Sequence, residues 1–194
     1  MKDSHDAREQ TARHSGLDVL SLVAGFSGVT FFLAHLASGL SEGEGIRALW
    51  ACHIASLLAG IGILFRSATP VGIGVLWLLA GIPLWAVYLA IGGPFNPTSL
   101  LTHFGGLAVG CHGLKTMGVP RGLWWKAIAG LWVLLAIARL TSPPELNVNL
   151  AWHVYQREGS FAGFYPAALL CLSLISMGLF YGAEQQLRRT FPLR

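Results

Sequence analysis

Pro94-Phe-Asn-Pro-Thr-Ser-Leu-Leu-Thr-His-Phe-Gly-Gly-Leu-Ala-Val-Gly-Cys-His112 begins as a Pro/Asn turn and continues as a glycine-rich apolar helix. Pro and Asn start turns because one fixes φ and the other bonds its own backbone. The uncharged run that follows carries His103 at the helix mouth and His112 deeper in, about 13.5 Å further along the rise. The rest of the chain decides whether such a helix sits in a soluble core or in a bilayer. Of 194 residues, 54% are hydrophobic and 11% charged, whereas a soluble domain carries about a quarter charged residues. The 24 glycines and seven tryptophans fit membrane helices and their interfaces. The reading is an all-α polytopic membrane protein.

A spanning helix needs roughly 20 mostly apolar residues. Six runs qualify, at about 17–40, 46–65, 71–91, 99–117, 123–140 and 162–182. They form one six-helix domain over 17–185, between a polar tail at 1–16 and a basic tail at 186–194. The first run is too long for a signal-peptide core, so it reads as a retained helix. Lys2, Arg8, Arg13, Arg66, Lys115, Arg121, Lys126, Arg188, Arg189 and Arg194 fall on one side of the bundle; Arg47, Arg139 and Arg157 fall on the other. Ten against three places both termini in the cytoplasm. The net charge of +4 lies in these loops rather than in one patch, which excludes nucleic acid as a partner. Cys52, Cys111 and Cys171 all fall inside apolar runs and do not read as a disulfide framework.

With the sides assigned, the unusual polar residues gather at one depth. His35 lies near the outer end of the first run, and Cys52 and His53 lie in the outer part of the second. Asn96, Thr98, Thr102 and His103 open the fourth. Arg139 ends the fifth, and Asn147, Asn149 and His153 follow it. Polar groups inside hydrocarbon are costly, about 2.5–3.5 kcal/mol for a central charge on insertion scales, so they face a bundle interior and have partners. His103 suits a general base because imidazole titrates near neutral pH. Cys52 is a nucleophile if a base takes its proton and an inert core thiol otherwise; Ser56 and Thr98 are its rivals. His53 is about 100° around the helix from Cys52 and is expected to point elsewhere, toward Ser56. No histidine pair among His35, His53, His103, His112 and His153 has the i, i+4 spacing that puts two ligands on one helical face, so no metal site is expected. Gly106 and Gly110 form a small-xxx-small packing face, Pro83 is expected to kink the third helix, and Trp124-Trp125-Lys126 reads as an interfacial anchor.

The order of motifs resembles that of the YwaF-type integral membrane proteins. More remotely it resembles the androgen-induced-protein type lipid hydrolases and the transmembrane acyltransferase acting on ether phospholipids. Leu49-Trp-Ala-Cys-His-Ile-Ala55 is similar to a Leu-His-Leu-Cys-Asp-Ile-like helix of the family, with Trp50 where the family has histidine and His53 where it has an acid. Gly81-Ile-Pro-Leu-Trp-Ala-Val-Tyr88, Asn96-Pro97, the opening His103-Phe-Gly, the basic loop Pro120–Lys126, Asn147-Val-Asn149 and Gly163-Phe-Tyr-Pro166 follow in the family's order. The resemblance implies acyl transfer or ester hydrolysis, with Cys52 as nucleophile and His103 as base.

Two functional classes follow. In the first, the protein is an intramembrane lipid acyltransferase or esterase without a cofactor. Asn96, Asn147 or Asn149 would stabilise an oxyanion, Arg139 would hold a phosphate, and His35 and His53 would line the substrate chamber. In the second, it is a non-catalytic membrane protein: a small transporter, a haem-binding subunit or a scaffold. The expected location is the cell membrane, with a bacterial inner membrane favoured. Membrane lipid is the expected partner, and a homo-oligomer or a subunit of a membrane complex is open.

Overall fold

The computed structural model describes residues 18–152 and 165–193, and among these every regular element is helical. The polar amino-terminal tail, Lys2, Arg8, Arg13, His153, Arg157, Arg194 and the first residues of the sixth expected span lie outside the described residues. Helix α1 spans Val19–Ser41, α2 Ala51–Leu64 and α3 Ala68–Ala90. The fourth apolar run is one rod in three pieces: α4 (Pro97–Leu100), a π-helical turn (Leu101–Gly105) and α5 (Gly106–Met117). Helices α6 (Leu123–Thr141) and α7 (Tyr165–Thr190) complete the set. Four of these, α1, α3, α6 and α7, are long and apolar enough to cross a membrane.

The second run departs from expectation at its start. Continuous apolar character suggests one helix from Ile46, but Gly45–Leu49 forms a 3-10 helix and Trp50 is extended (φ −57°, ψ 134°) before α2 begins. Hydropathy cannot register that break, because Ile46, Leu49 and Trp50 are as apolar as the helix they precede.

The core lies where α2, α3 and α5 meet, around Ala55, Ala59, Ile63, Val71, Val75, Leu78 and Leu114. Helix α1 packs on α2 through glycine: a Cβ on Gly60 would sit 2.6 Å from the Gly25 carbonyl oxygen, so no larger residue fits without separating the two backbones. Gly106 meets Ser56, where a Cβ would lie 2.8 Å from the serine Cβ, and Gly110 meets Val75 and Ala59. The small-residue face of α5 is thus a packing face. Pro83 lies inside α3 without ending it. Helix α7 lies at the edge, with Phe180 and Glu184 its buried residues.

Caps fix the helix ends. Asp18 Oδ1 accepts from the Ser21 backbone N–H at 2.6 Å, and that bond holds its carboxyl below the ordinary carboxylate range. Glu184, only 2% exposed, reaches from α7 to the start of α6, where its two oxygens accept from the backbone N–H groups of Gly122 and Trp124, each at 2.9 Å. An anion there satisfies helix-terminal donors and meets the positive end of the helix dipole. In the Trp124-Trp125-Lys126 run, the Lys126 ammonium lies 5.6 Å from the Trp125 ring centre.

Candidate functional site: a thiol–imidazole cluster

Cys52 and His53 occupy the first turn of α2, and His103 sits in the π turn facing them. The Cys52 Sγ and one ring nitrogen from each histidine all lie within 4.8 Å of one another. The sequence-based expectation that His53 turns away from Cys52 rested on the 100° step between neighbours. In the folded chain the two side chains straddle the opposing His103, so a pair that diverges on its own helix converges on a third residue. The ring of His53 does not bond Ser56; the Ser56 hydroxyl instead donates to the His53 carbonyl at 3.0 Å.

The π turn positions His103. Single π turns inside helices are frequent at functional sites. The Ser99 carbonyl accepts from His103 Nδ1 at 2.7 Å and from the Thr102 hydroxyl at 3.0 Å. A carbonyl can only accept, so Nδ1 carries the proton and the neutral ring presents its lone pair at Nε2. Trp85 stacks on the His103 ring, with centres 4.6 Å apart and planes at 22°. Fully buried and stacked, His103 has an Nε2 with no hydrogen-bond partner among the described residues.

His53 follows the same rule. Its Nδ1 lies 3.1 Å from the Arg47 carbonyl, which fixes the proton on Nδ1 and the lone pair on Nε2. His35 packs against it, ring centres 3.7 Å apart, and His53 meets His103 edge-on at 5.7 Å. The His35 Nδ1 lies 2.8 Å from the Thr98 hydroxyl oxygen. That hydroxyl donates to Asn96 Oδ1 at 2.6 Å, so it accepts from His35. Asn96 also caps α4, taking the Thr98 backbone N–H at 2.9 Å, and donates from Nδ2 to Ser38 at 2.9 Å. Three histidines therefore share one tautomer, each with Nδ1 tied to an oxygen.

The other expected site residues lie on the loop that covers the start of α2. Asn149 Oδ1 accepts from the Ala51 N–H at 2.8 Å and its Nδ2 donates to the Leu49 carbonyl at 2.7 Å. Asn147 has a left-handed backbone (φ 40°) and accepts the Trp152 N–H at 2.9 Å. Arg139 donates to the Ala151 carbonyl at 2.5 Å and lies over the rings of Trp152 and Tyr165, 4.5 and 5.6 Å from their centres. His35, Cys52, His53 and His103 are thus brought together, with Asn96 behind His35; Asn147, Asn149 and Arg139 order the loop beside them. Trp85 and the carbonyls of Ser99 and Arg47 are parts of the site that sequence reasoning did not single out. The only signal for Trp85 was its place in the aromatic stretch 81–88.

His112 lies apart, its Nε2 3.2 Å from the Ser21 hydroxyl. Cys52, Cys111 and Cys171 are free thiols, Cys52 partly exposed. Two shallow apolar grooves run along α1, one of about 370 Å³ from Val19 to Phe31 and one of about 460 Å³ between Phe32 and Leu49; neither is lined by Cys52 or His103.

Fold and site together define a class: among the described residues, an all-helical fold with four helices fit to cross a membrane, and a largely buried thiol–imidazole cluster at one end. No family model, no curated protein and no solved structure matches the chain.

Proposed function

We propose that the protein is a six-span integral membrane enzyme, with both termini cytoplasmic, that acts on an acyl ester of a membrane lipid through Cys52 and His103. The observation that carries this reading is a His103 ring with a buried, unpartnered Nε2 that brings a ring nitrogen within 4.8 Å of Cys52 Sγ. An unsatisfied buried acceptor costs about 1–3 kcal/mol, and such a cost persists where function uses it. A base with Nδ1 oriented by an oxygen and Nε2 facing a nucleophile is the arrangement that thiol and hydroxyl acyl-transfer enzymes share. The separation is longer than a bond, as is common before substrate draws the pair together.

The chemistry balances without a cofactor. His103 Nε2 takes the Cys52 thiol proton as sulfur adds to the ester carbonyl, and the C–O bond then breaks. His103 returns the proton to the departing alkoxide. Water, or the hydroxyl of an acceptor lipid, releases the acyl group from the thioester by the same steps in reverse. Trp85 and the Ser99 carbonyl hold His103 in place.

Dimensions support six spans. The 14 residues of α2 rise about 21 Å at 1.5 Å each. The apolar sequence that includes the preceding 3-10 helix, 46–64, has about as many residues as a span needs. The rod of α4, π turn and α5 is about as long. The cluster then lies at the Lys/Arg-poor face, at interfacial depth where a lipid ester sits. The resemblance to the YwaF-type and lipid-hydrolase proteins points to the same Cys–His pairing.

The test is covalent labelling of detergent-solubilised protein by an acyl-directed probe such as a long-chain p-nitrophenyl ester. Cys52→Ala and His103→Gln should each abolish labelling while the protein still elutes as a folded species. Undiminished labelling in either variant refutes the assignment.

A further inference from the structure

We propose that Cys52, His53 and His103 form a binding site for a thiophilic divalent metal ion of the zinc type, and that the ion switches the centre off by capturing its thiol. The acyl-transfer chemistry leaves one residue unexplained. It needs one sulfur and one imidazole, yet the structure brings ring nitrogens of two histidines to within 4.8 Å of the same sulfur. His53 is 7% exposed, and its Nδ1 proton is committed to the Arg47 carbonyl.

The donor set is that of a metal site. Zinc takes thiolate and neutral imidazole in tetrahedral arrangement, at about 2.3 Å to sulfur and 2.0–2.1 Å to nitrogen. Those lengths place neighbouring ligand atoms about 3.3–3.6 Å apart. The three atoms here lie within 4.8 Å of one another, so a closure of about an ångström by side-chain rotation suffices. Metal-bound histidines almost always donate their other ring N–H to a carbonyl or carboxylate, which fixes the tautomer. Both histidines already make that bond, to the carbonyls of Ser99 and Arg47. The second, independent sign is the His103 Nε2, fully buried on one of the cluster's own rings and lacking a partner among the described residues.

Binding displaces one proton: the Cys52 S–H bond breaks, sulfur bonds the ion as thiolate and the proton leaves to solvent, while both imidazoles bind as neutral ligands. Three protein ligands leave a fourth position for water. With sulfur and both lone pairs engaged, the thiol cannot attack an ester. The regulatory part rests on the acyl-enzyme reading; the binding part does not.

The experiment titrates purified, metal-stripped protein in detergent with Co²⁺ and reads the thiolate-to-cobalt charge-transfer absorption, alongside the zinc content after Zn²⁺ loading and desalting. One equivalent should bind in the wild type. Cys52→Ser should lose the band, His53→Gln should weaken binding at least tenfold, and His112→Gln, at the other end of the bundle, should bind as the wild type does. Each variant is first shown to retain its helical circular dichroism and elution volume. A wild type without the band, or a zinc content unchanged in Cys52→Ser, overturns the site. In the labelling assay, one equivalent of Zn²⁺ should slow the wild type at least tenfold, reversibly by chelator, and should change the rate of His53→Gln, measured against its own zinc-free rate, less than twofold. Labelling that Zn²⁺ does not slow overturns the switch. A protein that binds cobalt through Cys52 but is never acylated keeps the metal site and refutes the acyl-enzyme reading.

Discussion

Replacing Asn149 by alanine should loosen the first turn of α2, and with it the turn that carries Cys52 and His53. The Asn149 amide closes two bonds at once, accepting from the Ala51 N–H at 2.8 Å and donating to the Leu49 carbonyl at 2.7 Å. The Ala51 N–H is one of the helix-start donors with no intrahelical partner, and Trp50, in the capping position, makes no side-chain cap bond. Each bond is worth about 0.5–1.5 kcal/mol net, so Asn149→Ala should cost about 1–3 kcal/mol. Asn149→Asp keeps the acceptor, adds a charge favourable at a helix N-terminus and loses only the donor to Leu49; its loss should be less than half as large. Reversible unfolding in mixed micelles by increasing denaturing detergent measures both. Maleimide labelling of Cys52, in a background where Cys111 and Cys171 are serine, should run faster in Asn149→Ala because the turn opens more often. A role confined to holding substrate, as the sequence suggested for Asn149, would instead lower acylation and leave unfolding unchanged. Equal stability of all three proteins, with equal maleimide rates, would refute the pinning argument.

Glu184→Gln should destabilise the fold by about 1–3 kcal/mol, because the two α6 N–H groups lose a charged acceptor in a buried place; thermal unfolding in detergent measures it, and an unchanged midpoint would show that the carboxylate is not the cap. Orientation can be read with single cysteines in a chain whose three native cysteines are serine. A membrane-impermeant maleimide added to intact cells should label Ser41→Cys and leave Lys115→Cys unlabelled until the membrane is opened. The opposite pattern would invert the topology and put the cluster at the cytoplasmic face.

Most helix ends were legible because hydrocarbon burial demands long apolar runs, and the Pro94–Asn96 turn and the basic loop Pro120–Lys126 separate them; α7, expected to end near 182 before a basic tail, instead runs on to Thr190. The start of α2 was not, since the extended Trp50 is apolar and gives no break in hydropathy. The gathering of His35, Cys52, His53 and His103 at one end was legible from polar residues recurring at one depth. Their mutual geometry was not. The angular step along α2 describes an isolated helix, whereas the meeting of Cys52 with His53 is set by the rod packed opposite, and by a π turn that no residue between Leu101 and Gly105 announces. Glu184 escaped notice for a related reason: its partners are backbone N–H groups 60 and 62 residues away in sequence.

The feature that unites the cluster is also written in backbone atoms. An imidazole in water exchanges its proton freely between two nitrogens, so its reactive face is undefined. Here the Arg47 and Ser99 carbonyls and the Thr98 hydroxyl each take the Nδ1 proton of one ring, which leaves every Nε2 as an acceptor. Spread across α1, α2 and the π turn, three such assignments require three separate oxygen partners, and the fold supplies all three. Of the lone pairs so fixed, that of His103 is buried without a protein partner, and the thiol nearest to it is the one placed on the first turn of α2. A fold indifferent to proton position would gain from pairing that nitrogen, for instance by turning Thr102 toward it; Thr102 instead donates to the same Ser99 carbonyl. The arrangement therefore keeps a buried acceptor unpaired on a ring of the thiol cluster, and both proton abstraction and metal ligation require such an acceptor.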